Sequence, residues 1–371
     1  MNLQSGMAQS LPSALEERIY EAAVVPELWP RVLDDLSEIA GAEGGVAFGV
    51  VDATTSWTSS GAIRPAMEAF IAETWFARNT RSTRGFAKRL DREPRFVTEA
   101  DMFEDDAFLD DAIYRDFFIP NGLGWHAGTV VSTAHGDRLI VSVERALKNG
   151  PVPDDAVETL NGARPHLARA AMIAARLAFE KSRAAVATLE AIGLPAFAIA
   201  GSGKLVLAND LFEREAETWT TRGGDRLVLT DQRADRLVNR AIEGILLPHG
   251  VRSVPLVDRQ GGAPAVVHII PIRRSAHELF ASAAAIGILS RPKPLGTGQT
   301  QVLQALFDLT PAEALVALRI SDGATLEQIA TADGRSVETV RGHVKNIRSK
   351  TGCRRQAELT ALIQSLVSPL R

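Results

Sequence analysis

The chain carries a single cysteine, Cys353, among 371 residues. An intramolecular disulfide is therefore excluded, and this usage fits a reducing compartment. Aromatic residues are sparse, with two tyrosines and five tryptophans. Long apolar runs are missing too. The longest, at residues 265–270 and 283–289, are far too short to span a bilayer. The N-terminus shows no basic-then-apolar leader, which predicts a cytoplasmic protein with no membrane partner. Neither sign of charge dominates: 41 Lys+Arg stand against 45 Asp+Glu, a net −4. Any attraction to a polyanion must therefore be local.

Catalytic signatures are missing as well. There is no nucleophile elbow, no HExxH and no dinucleotide fingerprint. Residues 201–204 read Gly-Ser-Gly-Lys, but Ala198 stands where a phosphate loop needs its first glycine, and Leu205 where it needs Ser or Thr. Glu99, Asp101, Glu104, Asp105, Asp106, Asp110 and Asp111 form an acidic cluster without calcium-loop spacing, and most of them fit exposed helix faces. The Asp34-Asp35 pair lies in an amphipathic helix, and no receiver-like α/β repeat surrounds it. We therefore expect no enzyme, no metal and no identifiable cofactor, and leave room for an unknown small-molecule ligand.

What is present lies at the C-terminal end, in residues 309–359. Thr310-Pro311-Ala312-Glu313 is an N-cap, a helix-starting proline and a capping-box carboxylate. Thr325 and Gln328 repeat the box, with Gly323 before them to end the first helix. Ser336 opens a third helix, in which Val337, Val340, Val344 and Ile347 make one apolar stripe. From Arg335 onward there are eight cations (Arg335, Arg341, Lys345, Arg348, Lys350, Arg354, Arg355, Arg371) and two acids (Glu338, Glu358), a local balance of +6. A basic helix face on an acidic chain is an electrostatic footprint for phosphate. Short capped helices joined by a tight turn are the form of a helix-turn-helix.

This segment resembles the C-terminal domain of the LuxR family of bacterial transcription regulators. The matching residues are Leu309, Thr310, Glu313, Gly323, Gln328-Ile329-Ala330, Ser336, Thr339-Val340-Arg341, His343, Ile347, Lys350 and Gly352. Asp333 and Arg335 depart from the family's apolar choices in the turn before the third helix, which predicts looser packing there. The resemblance implies that this helix reads the major groove through Arg341 and Lys345, with Gly342 beside them. Ser336, Thr339, Asn346 and Lys350 would contact phosphate. It also implies a fourth helix that pairs two domains through Leu359, Leu362, Ile363 and Leu366. The partners expected are double-stranded DNA and a second copy of the chain, with RNA polymerase a further candidate.

Upstream, the chain reads as multidomain α+β. Residues 12–160 carry two helices, then strands and helical pieces, and resemble a GAF-like or autoinducer-binding sensor domain. Trp57, Trp75, Tyr114, Phe117 and Trp125 either line a ligand pocket there or are plain core. A homoserine-lactone motif does not align. Residues 161–190 form a connecting Ala-rich helix in which Leu167, Ala171, Ala174, Ala178, Lys181 and Ala185 make a heptad-like seam. The seam either pairs with a symmetry mate or simply spans domains. Residues 191–290 show two strands, helices and three strands, an order that resembles a PAS domain, with Asp210 capping a short helix. His249, His268 and His277 are the only histidines there that a haem could use, and a structural role fits His268 better. Residues 291–304 read as a linker and 305–371 as the DNA-binding domain. The expected function is a dimeric, ligand-responsive DNA-binding regulator. The rivals are a regulator whose upstream domains only dimerise, and an enzyme fused to a DNA-binding domain.

Overall fold

The computed structural model describes residues 11–51, 54–132, 137–243, 251–256, 265–272, 279–280, 283–291 and 297–367. The chain divides into two compact units, Met1–Ser290 and Arg291–Arg371.

The first unit opens with α1 (Ser13–Val24) and α2 (Trp29–Ala40), both amphipathic as their apolar spacing requires. Gly41, in the left-handed region at φ 56°, stops α2. Strands β1 (Gly44–Val51) and β2 (Thr54–Ser59) follow, then α3 (Arg64–Ala72) and α4 (Thr80–Ala87). A short β3 (Val97–Thr98) runs into α5 (Glu99–Met102). Strands β4 (Trp125–Ser132) and β5 (Arg138–Arg145) complete an antiparallel sheet in the order β2-β1-β5-β4-β3.

Strand alternation gives this sheet two different faces. Ala47, Leu139, Val141 and Val143 join the core beneath α1, α2 and the first half of α6 (Asp154–Ala191). Val46, Phe48 and Ile140 belong to the opposite face, among the aromatic side chains of α3 and the 105–118 segment. The long helix, read as a seam in the sequence, is part buried within its own chain. Leu167, Ala170 and Ala171 are fully buried in the core that contains α1, and Ala174 packs against it. The upper part of the alanine seam thus packs in one core with Ala22 and Ala23 of its own chain, while Lys181 and Ala185 at its lower end are exposed. Small residues on both helices permit this close approach.

The second sheet contains β6 (Ala196–Ile199), β7 (Leu205–Ala208), β10 (Arg252–Leu256), β11 (Ala265–Pro271) and β12 (Ala285–Ser290), in the order β10-β11-β12-β6-β7. The β6–β7 turn closes at Gly203, φ 87°. Between the two strand groups lie α7 (Asp210–Glu213), a hairpin of β8 (Trp219–Arg222) and β9 (Arg226–Leu229), and α8 (Gln232–Glu243). The N-cap of α7 is Asn209, whose side chain accepts from Phe212 N, and not Asp210. Phe197, Phe212 and Trp219 stack through this core at centroid separations of 4.5 and 4.9 Å. The Phe197 ring lies over Gly287, where an added Cβ would come within 2.1 Å of it. Leu279 and Phe280, between β11 and β12, are buried in the core of the first sheet. Ser56 Oγ donates to Leu279 O at 2.8 Å, and Gly49 has no room for a side chain beside that carbonyl.

The second unit is helical: α9 (Thr297–Phe307), α10 (Pro311–Ser321), α11 (Leu326–Asp333), α12 (Val337–Thr351) and α13 (Gln356–Val367). The expected linker thus gives way to helix at Thr297, and Leu303 is fully buried in this unit's core. Among the described residues, no helix is long and apolar enough to cross a membrane.

Candidate functional site

The first sheet backs onto a cavity of about 110 Å³. Apolar walls come from Val46 and Phe48 of β1, Met67 and Phe70 of α3, and Ile140 of β5. A charged cluster lies at one side. Asn79 caps α4, its Oδ1 accepting from the backbone of Arg81 at 3.0 Å and Ser82 at 3.4 Å. That cap directs Arg81 inward, where it is 6% exposed. Its Nη1 donates to Glu144 Oε2 at 2.8 Å and its Nε to Tyr114 Oη at 2.7 Å. The guanidinium stands 3.7 Å over the Phe118 ring and 4.5 Å over that of Tyr114.

Glu99, the first residue of α5, anchors the other side. Oε1 accepts from Tyr114 Oη at 2.9 Å and faces His126 Nδ1 at 2.5 Å, while Oε2 accepts from His126 N at 3.0 Å. Burial alone would push this carboxyl up. The His126 ring and its hydrogen bond, with Arg81, outweigh burial and hold it down at about 2. Burial pushes the Tyr114 phenol well above its ordinary value, so it stays a neutral donor. Ser142 Oγ donates to the remaining oxygen of Glu144 at 2.7 Å. Glu99 is thus no exposed helix-face acid, as the sequence suggests, but 2% exposed and fully bonded.

None of the five aromatics proposed for the pocket lines it. Tyr114 and Phe117 are core, and Trp57, Trp75 and Trp125 pack against that core from partly exposed positions. Tyr114 acts from behind the wall, through Arg81 and Glu99. The sequence reading missed Arg81, Glu144 and His126. The one local signal was the Asn79 cap, which orients α4. His268 is held by Ser253 Oγ at 2.8 Å, and His249 and His277 lie outside the described residues.

In the C-terminal unit every expected cap is made. Thr310 Oγ1 accepts from Glu313 N at 3.3 Å, and Glu313 Oε2 returns a bond to Thr310 N at 2.9 Å. Thr325 and Gln328 exchange bonds of 3.2 and 2.8 Å. Ser336 Oγ accepts from Thr339 N at 3.1 Å, which also fixes the Thr339 hydroxyl beside it at 2.9 Å. Gly334 at φ 62° ends α11, and Gly352 at φ 74° ends α12. Val340 and Ile347 are fully buried, with Val337 and Val344 packed beside them. The turn is tied where looser packing was expected. Asp333 pairs with Arg319, and Arg335 Nη1 meets His343 Nε2 at 3.0 Å.

The opposite face of α12 is open. Arg341, Lys345 and Asn346 are exposed, and Arg341, Lys345, Arg348 and Arg354 border one shallow groove. Arg341 meets Glu338 at 3.1 Å on the surface, a pairing of little energetic weight. A Cβ at Gly342 would meet nothing within 4 Å. Lys350 is less free than its resemblance-derived phosphate role implies. Its ammonium donates to Asp308 O at 2.8 Å and Glu313 Oε2 at 2.9 Å. The Lys350 bond, then the Thr310 backbone, hold Glu313 at about 2. The expected pairing face on α13 is corrected in two positions. Leu359 and Ile363 are fully buried in their own unit, Leu362 is half-buried, and the Leu366 side chain lies outside the described residues.

The chain is similar to solved structures of LuxR-family regulators. CepR2 from Burkholderia cenocepacia, an N-acylhomoserine-lactone-dependent LuxR-family transcription factor, is 15% identical over 43% of this chain and 92% of its own, with a TM-score of 0.31. The LBD domain of VqsR from Pseudomonas aeruginosa is 15% identical over 44% and 94%, at 0.33. SdiA from Escherichia coli is 8% identical over 95% and 96%, also at 0.33. No family model matches the chain, and no curated protein does.

Proposed function

We propose that this chain is a DNA-binding transcription regulator that acts as a dimer and responds to a small molecule held by its first sheet. The observation that carries the reading is the division of α12 into a buried stripe and an open basic row of Arg341 and Lys345, with half-buried Arg348 at its edge. Exposed cations in register on a rigid helix are what groove recognition requires. Gly342 deepens the same reading. A mid-helix glycine costs about 1 kcal/mol relative to alanine, and no neighbour in its own unit needs the space. Close approach of a DNA backbone accounts for that cost. The second sheet is read as a PAS-like relay, supported by a strand order that places β6 between β12 and β7. Its aromatic core leaves the ligand role to the first sheet.

The test is selection of bound duplexes from a random pool by the full chain. A two-fold consensus is expected. Arg341→Ala should then weaken consensus binding by roughly 1–3 kcal/mol and relax one base pair per half-site. Gly342→Ala should raise thermal stability and lower DNA affinity together. A pool that never enriches would sink the proposal, and equal loss on consensus and random DNA would reduce Arg341 to a phosphate contact.

A further inference from the structure

The exposed face of α8 is almost wholly of one sign. Its outward positions are Gln232, Arg233, Arg236, Arg240 and Glu243, so the single acid stands at the very end. Arginines at spacings of three and four share one side of a helix and repel each other, which weakens it. The acids near the helix start are used elsewhere. Asp231 Oδ1 caps α8 by accepting from Arg233 N at 2.9 Å, while Asp235 accepts from Leu229 N at 2.9 Å and Asn239 Nδ2 at 3.1 Å. Among the described residues, the guanidinium groups of Arg233, Arg236 and Arg240 have neither an ion pair nor a hydrogen bond.

The neighbouring strands add to this charge instead of answering it. Arg252, at the start of β10, donates from Nη1 to Arg240 O at 3.4 Å, and Arg226, at the start of β9, from Nη2 to Asn239 Oδ1 at 3.0 Å. Both guanidinium groups are thus held against α8. Across the β8–β9 hairpin Arg226 pairs directly with Arg222, and on its other side it bridges to Lys204. Like charges directly opposite destabilise a strand pair. Folding thus gathers cations from α8, β8, β9 and β10 where they oppose one another. An anion laid over them would relieve that repulsion.

What else the surface holds decides which anion fits. Within residues 204–243 no large apolar side chain is exposed. The face therefore lacks the apolar centre around which a protein interface is built, or with which a helix sinks into a bilayer. Its cations are arginines save for Lys204, and the planar guanidinium fork bonds phosphate bidentately. The row from Arg233 to Arg240 runs about 10 Å along the helix, and a duplex presents a phosphate charge about every 1.7 Å of its axis. Resting on the reading of the chain as a DNA-binding regulator, we infer that this arginine face beside the second sheet is a further DNA contact, which takes the phosphate backbone of the duplex outside the two half-sites. It reads no sequence. It adds affinity and salt dependence to a complex whose bases are read by α12.

Two duplexes built on the selected consensus separate the outcomes. One is trimmed to the half-sites, about 20 base pairs, and the other is extended by about 20 more on each side. Their affinities for the full chain are to be measured by fluorescence anisotropy between about 50 and 200 mM salt. The long duplex should bind tighter and with the steeper salt dependence. Arg233→Gln, Arg236→Gln and Arg240→Gln together should lower the slope of log affinity against log salt by about 2–3 on the long duplex, and leave the short one unchanged. Lysine at the same three positions should keep the slope. Arg341→Ala should weaken both duplexes by the same factor. The glutamine variant should also melt no lower than the wild type, because it removes repulsion. A lower melting temperature would show the arginines bonded within the chain and would overturn the inference. An unchanged slope on the long duplex would overturn it too and leave the DNA reading standing. Binding to phosphatidylglycerol vesicles that the glutamine variant loses, with both duplexes unaffected, would assign the face to a membrane instead. Failure of the selection to yield any bound duplex would overturn both readings.

Discussion

Sheet β2-β1-β5-β4-β3 and sheet β10-β11-β12-β6-β7 are both five-stranded and antiparallel, yet one backs onto a cavity and the other onto a phenylalanine ring. The difference lies in what each face is built from. Over Gly287, Phe197 fills the second sheet by simple apolar packing, which needs no partner beyond its neighbours. The first sheet surrounds its space with a bonded polar cluster. Side chains tied by directional bonds cannot collapse inward as aliphatic ones do. A hollow is thus kept open by a bonded charged cluster.

The comparison breaks most visibly at Arg81. Arg81→Met should destabilise the first unit by about 3–5 kcal/mol, since it strands Glu99 and Glu144 without their cation. Denaturant unfolding measures it, and a loss near zero would mean the cluster does not hold the cavity. The same cluster should give the unit an acid-sensitive stability. Glu99 is held at about 2 against an ordinary 4.5. The unfolded chain therefore binds the proton first, so this contribution is complete above about pH 4.5 and drains as pH falls toward 2. Glu99→Gln should flatten that slope in urea titrations run at successive pH values.

A methyl group added to each face sharpens the contrast. Gly287→Ala forces its Cβ into the Phe197 ring and should cost about 1–3 kcal/mol. Much of that should return in the Gly287→Ala, Phe197→Leu pair, and additivity of the two changes would show that the ring is not the obstacle. Val130→Ile on the cavity wall has room, and should change stability by no more than about 0.5 kcal/mol in either direction. A loss as large as that of Gly287→Ala would mean the space is not available.

Much of the frame was legible in the sequence. The strands at Trp125–Ser132 and Ala285–Ser290, and the three caps of the C-terminal unit, follow from alternation and from capping chemistry. Such signals are local, and so they survive in a single chain. The cavity was not legible. Arg81, Glu99, His126 and Glu144 come from four elements and meet only after the sheet closes. The α4 sequence around Arg81 is too polar to announce a buried residue. Aromatic residues drew attention to the right face and the wrong positions, because rings fill cores more readily than they line holes. The alanine seam was ambiguous by nature. A stripe of small residues invites any close helix, and α1 is one that takes up its first half. In the turn before α12 the departures Asp333 and Arg335 are answered by Arg319 and His343, pairings that no local pattern reveals.

The seating of Leu279 and Phe280 in the core of the first sheet bears on how such a chain can be cut and inherited. A truncation ending after α6 would keep every strand of that sheet and still remove two of its core side chains, together with the carbonyl that Ser56 binds. An exchange of the second sheet for one from another protein would meet the same obstacle unless its β11–β12 connection came along. The two sheets are separable on paper and a single heirloom in practice, passed on together or not at all.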